Sequence, residues 1–304
     1  MKRVLVTGAN GFIGRHSLSF LIERGYELHG IISENGGQLG ISGVHWHIAN
    51  LLNPTSAQAV IKAIRPTHLL HFAWYTKPGE FWSSAENLRW LQSSLEILRA
   101  FKFNGGERVL MAGTCAEYDW HYGYCSEQIT PLNPATLYGS CKKSLYEVLM
   151  SFARQEGLSA AWGRVFFLYG PYEHPARLVP SITTALLAKR YANCTQGDQI
   201  RDFLHVEDVA SAFAALLDSK IDGAINIASG QPVTIKKVIR LIAEKLGRLD
   251  LVQFGAISTS QREAPFLVAD VNRLHQQLGW IPSHNLDTGL DTAIDWWKKQ
   301  KTHI

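Results

Sequence analysis

Residues 4–14 read VLVTGANGFIG, and this stretch decides the fold class. The apolar run at its start predicts a short buried strand, and the amphipathic segment 12–24 predicts a helix. Gly8 permits a tight turn, Gly11 leaves room for a phosphate, and Gly14 lets the helix lie close to the strand. A helix N-terminus also offers free N–H groups and the positive end of its dipole. Strand, turn and helix together therefore predict a binding site for the pyrophosphate of a dinucleotide.

Short apolar runs alternate with helix-length amphipathic segments over the first two thirds of the chain. This alternation is typical of an α/β fold with a doubly wound parallel sheet of the Rossmann type. We predict further strands at 28–32, 45–48, 68–73, 108–112 and 160–168, and helices at 57–64, 85–103 and 137–156.

Beyond Pro171 the alternation is looser. We expect residues 1–170 to form the dinucleotide-binding domain, with 205–230 returning to it, and residues 171–304 to form a smaller, interleaved C-terminal substrate domain. The elements predicted here are helices at 178–189, 206–217, 236–246 and 290–299, and a strand at 224–228.

The composition argues against two classes of partner. The chain has 304 residues and a formal net charge of +4, and its sequence contains no run of basic residues. Neither a nucleic acid nor a membrane surface is therefore expected as a partner. No apolar stretch approaches the roughly 18 residues of a membrane helix. Gly8 and Asn10 interrupt the apolar N-terminus too early for a signal peptide, so a cytoplasmic location is expected.

The cysteines show no metal-binding pattern. None has C-x-x-C spacing, and none has metal-type spacing with a histidine. We expect reduced thiols and no metal site. The cysteines are Cys115, Cys125, Cys141 and Cys194.

Tyr138 and Lys142 have Y-x-x-x-K spacing, which places both side chains on one face of a helix. A tyrosine with an ordinary pKa of about 10 is a poor base at neutral pH. An ammonium about 5 Å away, at an effective dielectric constant near 20, favours the phenolate by about 3 kcal/mol, or about two pKa units. We therefore expect Lys142 to lower the pKa of Tyr138.

Over nearly its whole length the chain resembles the extended members of the short-chain dehydrogenase/reductase superfamily. The resemblance rests on three glycines spaced G-x-x-G-x-x-G after Thr7, followed by Thr114 and then by the Tyr138–Lys142 pair. It implies hydride chemistry with NAD(P). Further stretches resemble the nucleotide-sugar enzymes of this superfamily, and these are His71-Phe72-Ala73, Arg164 through Tyr169-Gly170-Pro171, Arg201 through Val206, and Arg262-Glu263.

The resemblance also implies roles for individual residues. The catalytic residues would be Thr114, Tyr138 and Lys142, with Thr114 supporting the substrate oxygen. Arg201 and Arg262 would contact a substrate diphosphate, because guanidinium groups suit phosphate oxygens. Substrate contacts would also come from Trp74, Tyr75, Thr114 and Tyr138, with His71, Trp82 and Tyr118 as further pocket candidates. Cofactor contacts would come from Gly8, Asn10, Gly11, Phe12, Ile13, Gly14, Arg15, Ser33, Asn50, Leu51, Phe72, Ala73 and Lys142.

The end of the second predicted strand bears on the choice of nicotinamide cofactor. An acidic residue there usually holds the adenosine ribose hydroxyls of NAD. Ile32 occupies that place, Glu34 is displaced from it, and Arg15 and Ser33 are expected to reach a 2′-phosphate. NADP(H) is therefore expected over NAD(H), with NAD(H) as the alternative.

Departures from the family patterns narrow the chemistry. Sugar dehydratases of this group carry an Asp-Glu pair directly after the catalytic threonine, and Cys115 and Ala116 stand there instead, so dehydration is not expected. Cys115 is expected to pack rather than react. The leading interpretation is a reductase of 4-keto nucleotide sugars, and the alternative is a C4 epimerase with tightly held NAD.

Two further expectations come from the resemblance. A non-catalytic cofactor-sensing regulator of the same fold is a distant alternative, and the complete threonine–tyrosine–lysine set argues against it. A homodimer is expected, through the helices predicted at 85–103 and 137–156.

Overall fold

The computed structural model describes residues 2–33, 36–258 and 263–301. Among the helices of these residues, none has the length and apolar character needed to cross a membrane. Up to residue 169 the elements are β1 (Arg3–Thr7), α1 (Phe12–Glu23), β2 (Glu27–Ile32), β3 (Val44–Ile48), α2 (Pro54–Ile64), β4 (His68–His71), α3 (Glu86–Phe103), β5 (Arg108–Thr114), β6 (Tyr124–Cys125), α4 (Leu137–Glu156), β7 (Ser159–Val165) and β8 (Phe167–Tyr169). The later elements are α5 (Leu178–Leu187), β9 (Ala192–Cys194), β10 (Ile200–His205), α6 (Val206–Asp218), β11 (Gly223–Ile227), β12 (Pro232–Thr234), α7 (Ile235–Leu246), β13 (Val252–Phe254), β14 (Phe266–Ala269) and α8 (Leu286–Lys301).

Seven parallel strands form the main sheet, in the order β11-β7-β5-β4-β1-β2-β3. The chain builds outward from β1 through β3 and then outward from β4 in the opposite direction, so the winding reverses between β1 and β4. In open α/β sheets a ligand binds at the carboxyl ends of the strands beside such a reversal. The predicted doubly wound parallel sheet is confirmed, and the glycine turn follows β1 at this position.

Helices cover both faces of the main sheet, which parallel strands require. Val4 and Val6 of β1 belong to a core shared with α1 and α6, and Leu5 between them belongs to a core shared with α2, α3 and α4. All three side chains are fully buried. Because successive side chains of a strand point to opposite faces, a strand covered on both sides is apolar throughout.

A smaller group of elements lies beyond the main sheet. Strands β12, β10, β14 and β6 pair in that order, with β8 also beside β10. Helices α5, α7 and α8 pack around a separate core that includes Ile239 and Leu290. Strand β11, although late in the chain, is the outermost strand of the main sheet and pairs with β7. The division of the chain into two domains near residue 170 stays a prediction.

Three predicted elements have different bounds in the structure. The single strand predicted at 160–168 is wrong, because β7 ends at Val165 in the main sheet and β8 pairs with β10 in the other sheet. The helix predicted from residue 57 begins at Pro54, because the Asn53 side chain accepts hydrogen bonds from two backbone N–H groups of its first turn. The last helix begins at Leu286 rather than at residue 290.

Candidate active site

The turn after β1 has a geometry that fits a pyrophosphate. Gly8 adopts a φ of +65°, and a Cβ atom on Gly14 would lie 2.1 Å from the carbonyl oxygen of Gly8. Only glycine permits this close approach of α1 to the turn. Helix α1 begins after Gly11 without a side-chain cap and without an acidic residue in its first turn, which contains Phe12 and Ile13. The N–H groups and dipole of this helix are therefore available to an anion.

A chain of hydrogen bonds joins this turn to β4. The backbone N–H of Ala73 donates to Thr7 Oγ1 at 3.2 Å, and the Thr7 hydroxyl donates to His71 Nδ1 at 2.7 Å. His71 Nε2 then donates to Ser94 Oγ at 2.9 Å, whose hydroxyl donates to the carbonyl of Trp90. Burial, with a contribution from the charge of a nearby lysine, lowers the pKa of His71 to about 3, so its imidazole is neutral. His71 therefore supports the turn, and its place in a substrate pocket stays a prediction.

Arg15 and Ser33 lie at the two sides of the turn. The Arg15 guanidinium donates to the carbonyl of Asn10 at 3.0 Å and 3.3 Å and lies 4.0 Å from the centre of the Tyr172 ring. Ser33 is exposed just after β2. Glu34 lies outside the described residues. The contacts of Arg15 and Ser33 with a 2′-phosphate stay a prediction.

The remaining cofactor candidates follow β3 and β4. The Asn50 side chain accepts a hydrogen bond from the backbone of Leu52 at 3.0 Å. Leu51 is buried, and its carbonyl accepts a hydrogen bond from Ser93 Oγ at 2.6 Å. The Phe72 ring packs edge-on against a phenylalanine of α6, with 4.9 Å between the ring centres. Phe72 thus follows β4 at the reversal point, whereas Asn50 and Leu51 follow the outermost strand, β3.

The start of α4 brings Tyr138 to Thr114. Thr136 caps this helix by accepting a hydrogen bond from the backbone of Gly139 at 3.1 Å. A Cβ atom on Gly139 would lie 2.3 Å from the carbonyl oxygen of Ala116, so glycine allows α4 to lie directly against the segment that follows β5. A hydrogen bond joins the side chains of Tyr138 and Thr114. Two predicted catalytic residues that are 24 positions apart in the numbering are thus in contact.

The electrostatics of Tyr138 differ from the expectation. Burial raises the pKa of Tyr138, and the opposing contributions come from the hydrogen bond to Thr114 and from the cation Arg177. Lys142 donates to the carbonyl of Ala112 at 2.9 Å, and burial lowers its own pKa to about 7. The expected lowering of the Tyr138 pKa by Lys142 is therefore wrong, because desolvation outweighs the charge interactions. Tyr138 is protonated at neutral pH.

Glu117 is a buried part of the site that the sequence analysis missed. Its carboxylate accepts hydrogen bonds from the Thr114 backbone at 2.8 Å, from Trp162 Nε1 at 3.0 Å and 3.1 Å, and from Arg164 Nε at 2.7 Å. Thr114 and Glu117 form a capping box, and the Thr-x-x-Glu pattern was the signal that could have revealed it. This network holds the backbone of Thr114 in place.

Comparison with known proteins agrees with this geometry. The sequence matches the model of the NAD dependent epimerase/dehydratase family over residues 4–228. The chain belongs to this family. The resemblance to extended short-chain dehydrogenases/reductases is thereby confirmed, and the protein is an NAD-dependent enzyme of that type.

Individual members of the NAD dependent epimerase/dehydratase family align over most of the chain. A UDP-glucose 4-epimerase of Azospirillum brasilense is 27% identical over 327 residues, which cover 97% of this chain and 91% of the relative. CDP-abequose synthase of Salmonella typhimurium is 26% identical over 309 residues, which cover 96% of this chain and 97% of the relative. The crystal structure of a Thermus thermophilus UDP-glucose 4-epimerase in complex with NAD has a TM-score of 0.85 at 25% identity and covers 97% of this chain and 99% of that one.

In the present chain, aromatic rings surround Tyr138. The ring centres of Phe81, Trp82 and Trp74 lie 5.0 Å, 5.8 Å and 6.5 Å from that of Tyr138, all in edge-to-face arrangements. The Tyr138 N–H also donates to the carbonyl of Trp82 at 3.1 Å. Trp120 continues the apolar surface, with its ring centre 6.0 Å from that of Trp82. We call Trp74, Phe81, Trp82 and Trp120 the aromatic wall.

The other predicted substrate residues lie in different surroundings. The buried Arg201 donates to Glu263 at 3.0 Å and contributes a positive charge near Cys115. Burial raises the pKa of the Cys115 thiol, consistent with packing rather than reaction. The Tyr75 hydroxyl donates to Glu80 at 2.6 Å. Arg262 lies outside the described residues.

Tyr118, predicted as a pocket candidate, is hydrogen-bonded within the core, and its contact with a substrate stays a prediction. It is buried, and its hydroxyl donates to Asn226 Oδ1 at 2.8 Å. The sequence analysis missed two further charged residues, Arg177 near Tyr138 and the buried Glu173, because no spacing motif marks them. Arg177 lies 5.2 Å from the centre of the Phe81 ring. Glu173 has a buried oxygen without a hydrogen-bond partner among the described residues, and burial raises its pKa to about 8.

Proposed function

We propose that this protein is a reductase of 4-keto nucleotide sugars. The observation that carries the proposal is the hydrogen-bonded Thr114–Tyr138 pair, enclosed by the aromatic wall. Such a pair can support a carbonyl oxygen and supply its proton. The CDP sugar named in one relative, CDP-abequose synthase, supports a nucleotide sugar as the substrate class.

Each catalytic residue has a role that follows from its surroundings. A bound nicotinamide cofactor supplies the hydride. Tyr138, which burial keeps protonated at neutral pH, donates its phenolic proton to the sugar oxygen. Thr114 hydrogen-bonds to the same oxygen and to Tyr138, so it aligns donor and acceptor. Lys142, on the same helix face one turn later, is assigned to the bound cofactor, to which its ammonium can donate hydrogen bonds. A protonated tyrosine suits reduction better than the reverse oxidation, which needs a base.

The aromatic wall favours reduction over C4 epimerisation. An epimerase must let the keto sugar turn over, so that hydride returns to the opposite face. The rings of Phe81 and Trp82 pack edge-on within 6 Å of the Tyr138 ring, and we expect them to restrict such a turn. The wall also suits a deoxygenated sugar, because aromatic rings pack well against C–H groups and bury apolar surface.

The chain lacks a free acid–base pair directly after Thr114, where dehydration would need one. Cys115 and Ala116 occupy the two positions in question, and burial raises the pKa of the Cys115 thiol. Glu117 is the next carboxylate along the chain, and its oxygens are held by Arg164 and Trp162. A carboxylate in a buried ion pair is a poor proton acceptor, because its protonation leaves Arg164 uncompensated.

We also propose a preference for NADP(H) over NAD(H). Ile32, at the end of β2, is buried and apolar, so it offers no carboxylate to the ribose hydroxyls. Ser33 follows it and is exposed. Its hydroxyl suits a 2′-phosphate oxygen, whereas a carboxylate would repel one. Ser33→Asp is expected to lower kcat/KM for NADPH relative to NADH at least tenfold, with Ser33→Ala as the control for loss of the hydroxyl alone.

A homodimer through α3 and α4 is part of the proposal. Leu88 and Phe103 on α3 and Val148 on α4 are 53%, 69% and 45% exposed. Large apolar side chains exposed on two packed helices suit an interface between copies of the chain. Light scattering should give the mass of a dimer, and Val148→Glu should shift it toward the monomer.

C4 epimerisation is the second candidate, favoured by the similarity to UDP-glucose 4-epimerases of Azospirillum brasilense and Thermus thermophilus. One experiment separates the two. The purified protein is mixed with NADPH and a panel of 4-keto-deoxy nucleotide sugars, and the absorbance of NADPH is followed. Consumption of NADPH supports the reductase. No consumption with any sugar, together with NAD⁺ retained through purification, overturns it in favour of the epimerase.

The role of Tyr138 is tested on the substrate found in this way. Tyr138→Phe removes the hydroxyl and keeps the ring that packs against the aromatic wall. Activity should fall by about 10²–10⁴-fold, while cofactor affinity stays near that of the wild type. Tyr191→Phe serves as a matched control, because it removes the hydroxyl of a tyrosine that is 62% exposed and that has no predicted role in the site. Full turnover by Tyr138→Phe would exclude the mechanism.

A further inference from the structure

Four side chains from distant parts of the chain meet beside the first turn of α6. They are His16 on α1, His205 at the end of β10, Glu207 in α6, and His284 in the segment before α8. The Glu207 carboxylate lies 3.6 Å from His284 Nε2, 4.0 Å from His205 Nδ1 and 4.0 Å from His16 Nδ1. Ligand atoms of His205, Glu207 and His284 all fall within 4.8 Å of one another.

His205 presents an unshared lone pair to this carboxylate. Its Nε2 lies 3.0 Å from Thr292 Oγ1, and the Thr292 hydroxyl donates to the carbonyl of Gly289 at 2.8 Å. The hydroxyl oxygen therefore accepts from Nε2–H, which leaves Nδ1 without a proton. The His205 side chain is fully buried, and its Nδ1 has no hydrogen-bond partner among the described residues. An unpaired buried nitrogen of this kind calls for an explanation.

The other two histidines are oriented in the same way. His284 Nδ1 donates to Asp208 at 3.1 Å, so the Nε2 lone pair faces Glu207. His16 Nε2 donates to the carbonyl of Pro171 at 3.2 Å, so the Nδ1 lone pair faces the other carboxylate oxygen.

Three imidazole lone pairs and one carboxylate are all acceptors, so they do not stabilise one another. A bound cation satisfies all four at once. We propose that His16, His205, Glu207 and His284 bind a divalent zinc ion. Imidazole nitrogen and carboxylate oxygen are zinc ligands, and a tetrahedral site with bonds of about 2.0–2.2 Å places its ligand atoms roughly 3.3–3.5 Å apart. The ligand atoms of His205, Glu207 and His284 already lie within 4.8 Å of one another, and His16, whose Nδ1 is 4.0 Å from the Glu207 carboxylate, would have to move toward them as the fourth ligand.

The surroundings have two further features of a zinc site. In each histidine, the ring nitrogen that faces away from Glu207 donates its N–H to an acceptor. The acceptors are on Asp208 for His284, on Pro171 for His16 and on Thr292 for His205. Such partners orient metal-binding imidazoles. The Glu207 side chain is 42% exposed, which gives the ion a path from solvent. No sequence motif marks this site, because its ligands come from residues 16, 205, 207 and 284. This is why cysteine and histidine spacing led us to expect no metal.

The proposed ion joins α1, whose N-terminus forms the pyrophosphate turn, to β10 and to the segment before α8. Its expected effect is therefore on stability, since it connects parts of the chain that are far apart in sequence. None of the four ligands contacts Tyr138, so the site is separate from the proposed reduction. Failure of the reductase proposal would leave this inference untouched, and the reverse also holds.

The test uses the untagged full chain, stripped with a chelator and titrated with Zn²⁺ by calorimetry and by thermal denaturation. We expect one Zn²⁺ per chain, a higher melting temperature, and visible absorption bands of tetrahedral Co²⁺ when cobalt replaces zinc. Glu207→Gln and His284→Gln each keep the side-chain volume close to the original and remove one ligand. Each should weaken Zn²⁺ binding at least tenfold and abolish the rise in melting temperature.

A second cluster of histidines supplies the matched control for the loss of Zn²⁺ binding. His29, His45 and His47 lie side by side on β2 and β3, with ring centres 5.0 Å and 5.2 Å apart. His45→Gln should leave Zn²⁺ binding unchanged. The proposal is overturned if the wild type binds no Zn²⁺. It is also overturned if Glu207→Gln and His284→Gln bind as the wild type does, or if only His45→Gln loses the metal.

Discussion

The ammonium nitrogen of Lys142 lies 3.8 Å from the centre of the Trp74 ring. Trp74 is held in this position by a 2.9 Å hydrogen bond from its Nε1 to Asn87 Oδ1. The carbonyl of Ala112 is the hydrogen-bond acceptor of the same ammonium. Burial lowers the pKa of Lys142 to about 7, with the charge of Glu117 acting in the opposite direction. An aromatic face and one carbonyl thus stabilise an ammonium group that easily loses its proton.

Trp74→Leu should shift the pH dependence of activity. The aromatic face stabilises the charged form of Lys142 by about 0.5–2 kcal/mol, so its loss lowers the lysine pKa further. If activity needs the ammonium, it falls as pH rises through about 7 in the wild type and should fall at lower pH in the variant. The measurement is kcat against pH from 5.5 to 9, with Trp74→Phe, which keeps an aromatic face, as the control. A Trp74→Leu profile equal to that of the wild type, or shifted upward, contradicts this account.

Gly139→Ala should disturb the start of α4 and the position of Tyr138. The new methyl group would lie 2.3 Å from the carbonyl oxygen of Ala116, so helix and loop must separate. We expect a loss of about 1–3 kcal/mol in the free energy of unfolding, together with a drop in kcat. Urea denaturation measures the first and steady-state kinetics the second. Gly40→Ala is the control, because a Cβ atom there meets nothing within 4 Å. Equal stability of the two variants would disprove the close contact.

Glu117→Gln should cost far more stability than loss of a surface ion pair. It leaves the Arg164 guanidinium, which is 1% exposed, without its carboxylate 2.7 Å away. Breaking a buried pair of this kind typically costs about 3–5 kcal/mol. Glu86→Gln, which breaks the exposed pair with Arg89, should cost about 0.5 kcal/mol. Chemical denaturation of both variants at neutral pH provides the comparison, and similar losses would argue against an uncompensated Arg164.

His71 should contribute to the loss of stability in acid. Its folded-state pKa of about 3 lies below the unfolded value of about 6.5. Below about pH 6.5 the His71 imidazole of the unfolded chain binds a proton, whereas that of the folded chain binds one only near pH 3. The contribution of His71 to the free energy of unfolding is therefore fully present above pH 6.5, and it declines by about 1.4 kcal/mol for each pH unit below that value.

His71→Gln removes this titration and tests the relationship. The variant is expected to lose stability less steeply between pH 6 and pH 4.5 than the wild type, by about 1 kcal/mol per pH unit. Denaturation midpoints across this range give the two slopes. His121→Gln, at an exposed histidine, controls for the substitution itself. Parallel slopes for His71→Gln and the wild type would show that His71 is not the group responsible.

The main sheet and the pyrophosphate turn followed from local patterns. A buried strand, three glycines at a spacing of three and an amphipathic helix are recognisable in one stretch, because each depends on neighbours in the chain. Helix α2 shows the limit of periodicity, since its start was set by the cap at Asn53 and not by apolar spacing. The strand predicted at 160–168 shows another limit. Its division between two sheets depends on which strands lie beside it.

The sequence by itself determined the fold class, the family and the spacing of Tyr138 and Lys142, because periodicity and backbone freedom are local properties. Only the tertiary structure decided that Tyr138 is protonated, that Glu117 is held by Arg164, and that lone pairs of distant histidines face Glu207. The physical reason is that desolvation and hydrogen-bond geometry depend on groups brought together through space. Burial reversed the pKa shift that the four-residue spacing alone had led us to expect.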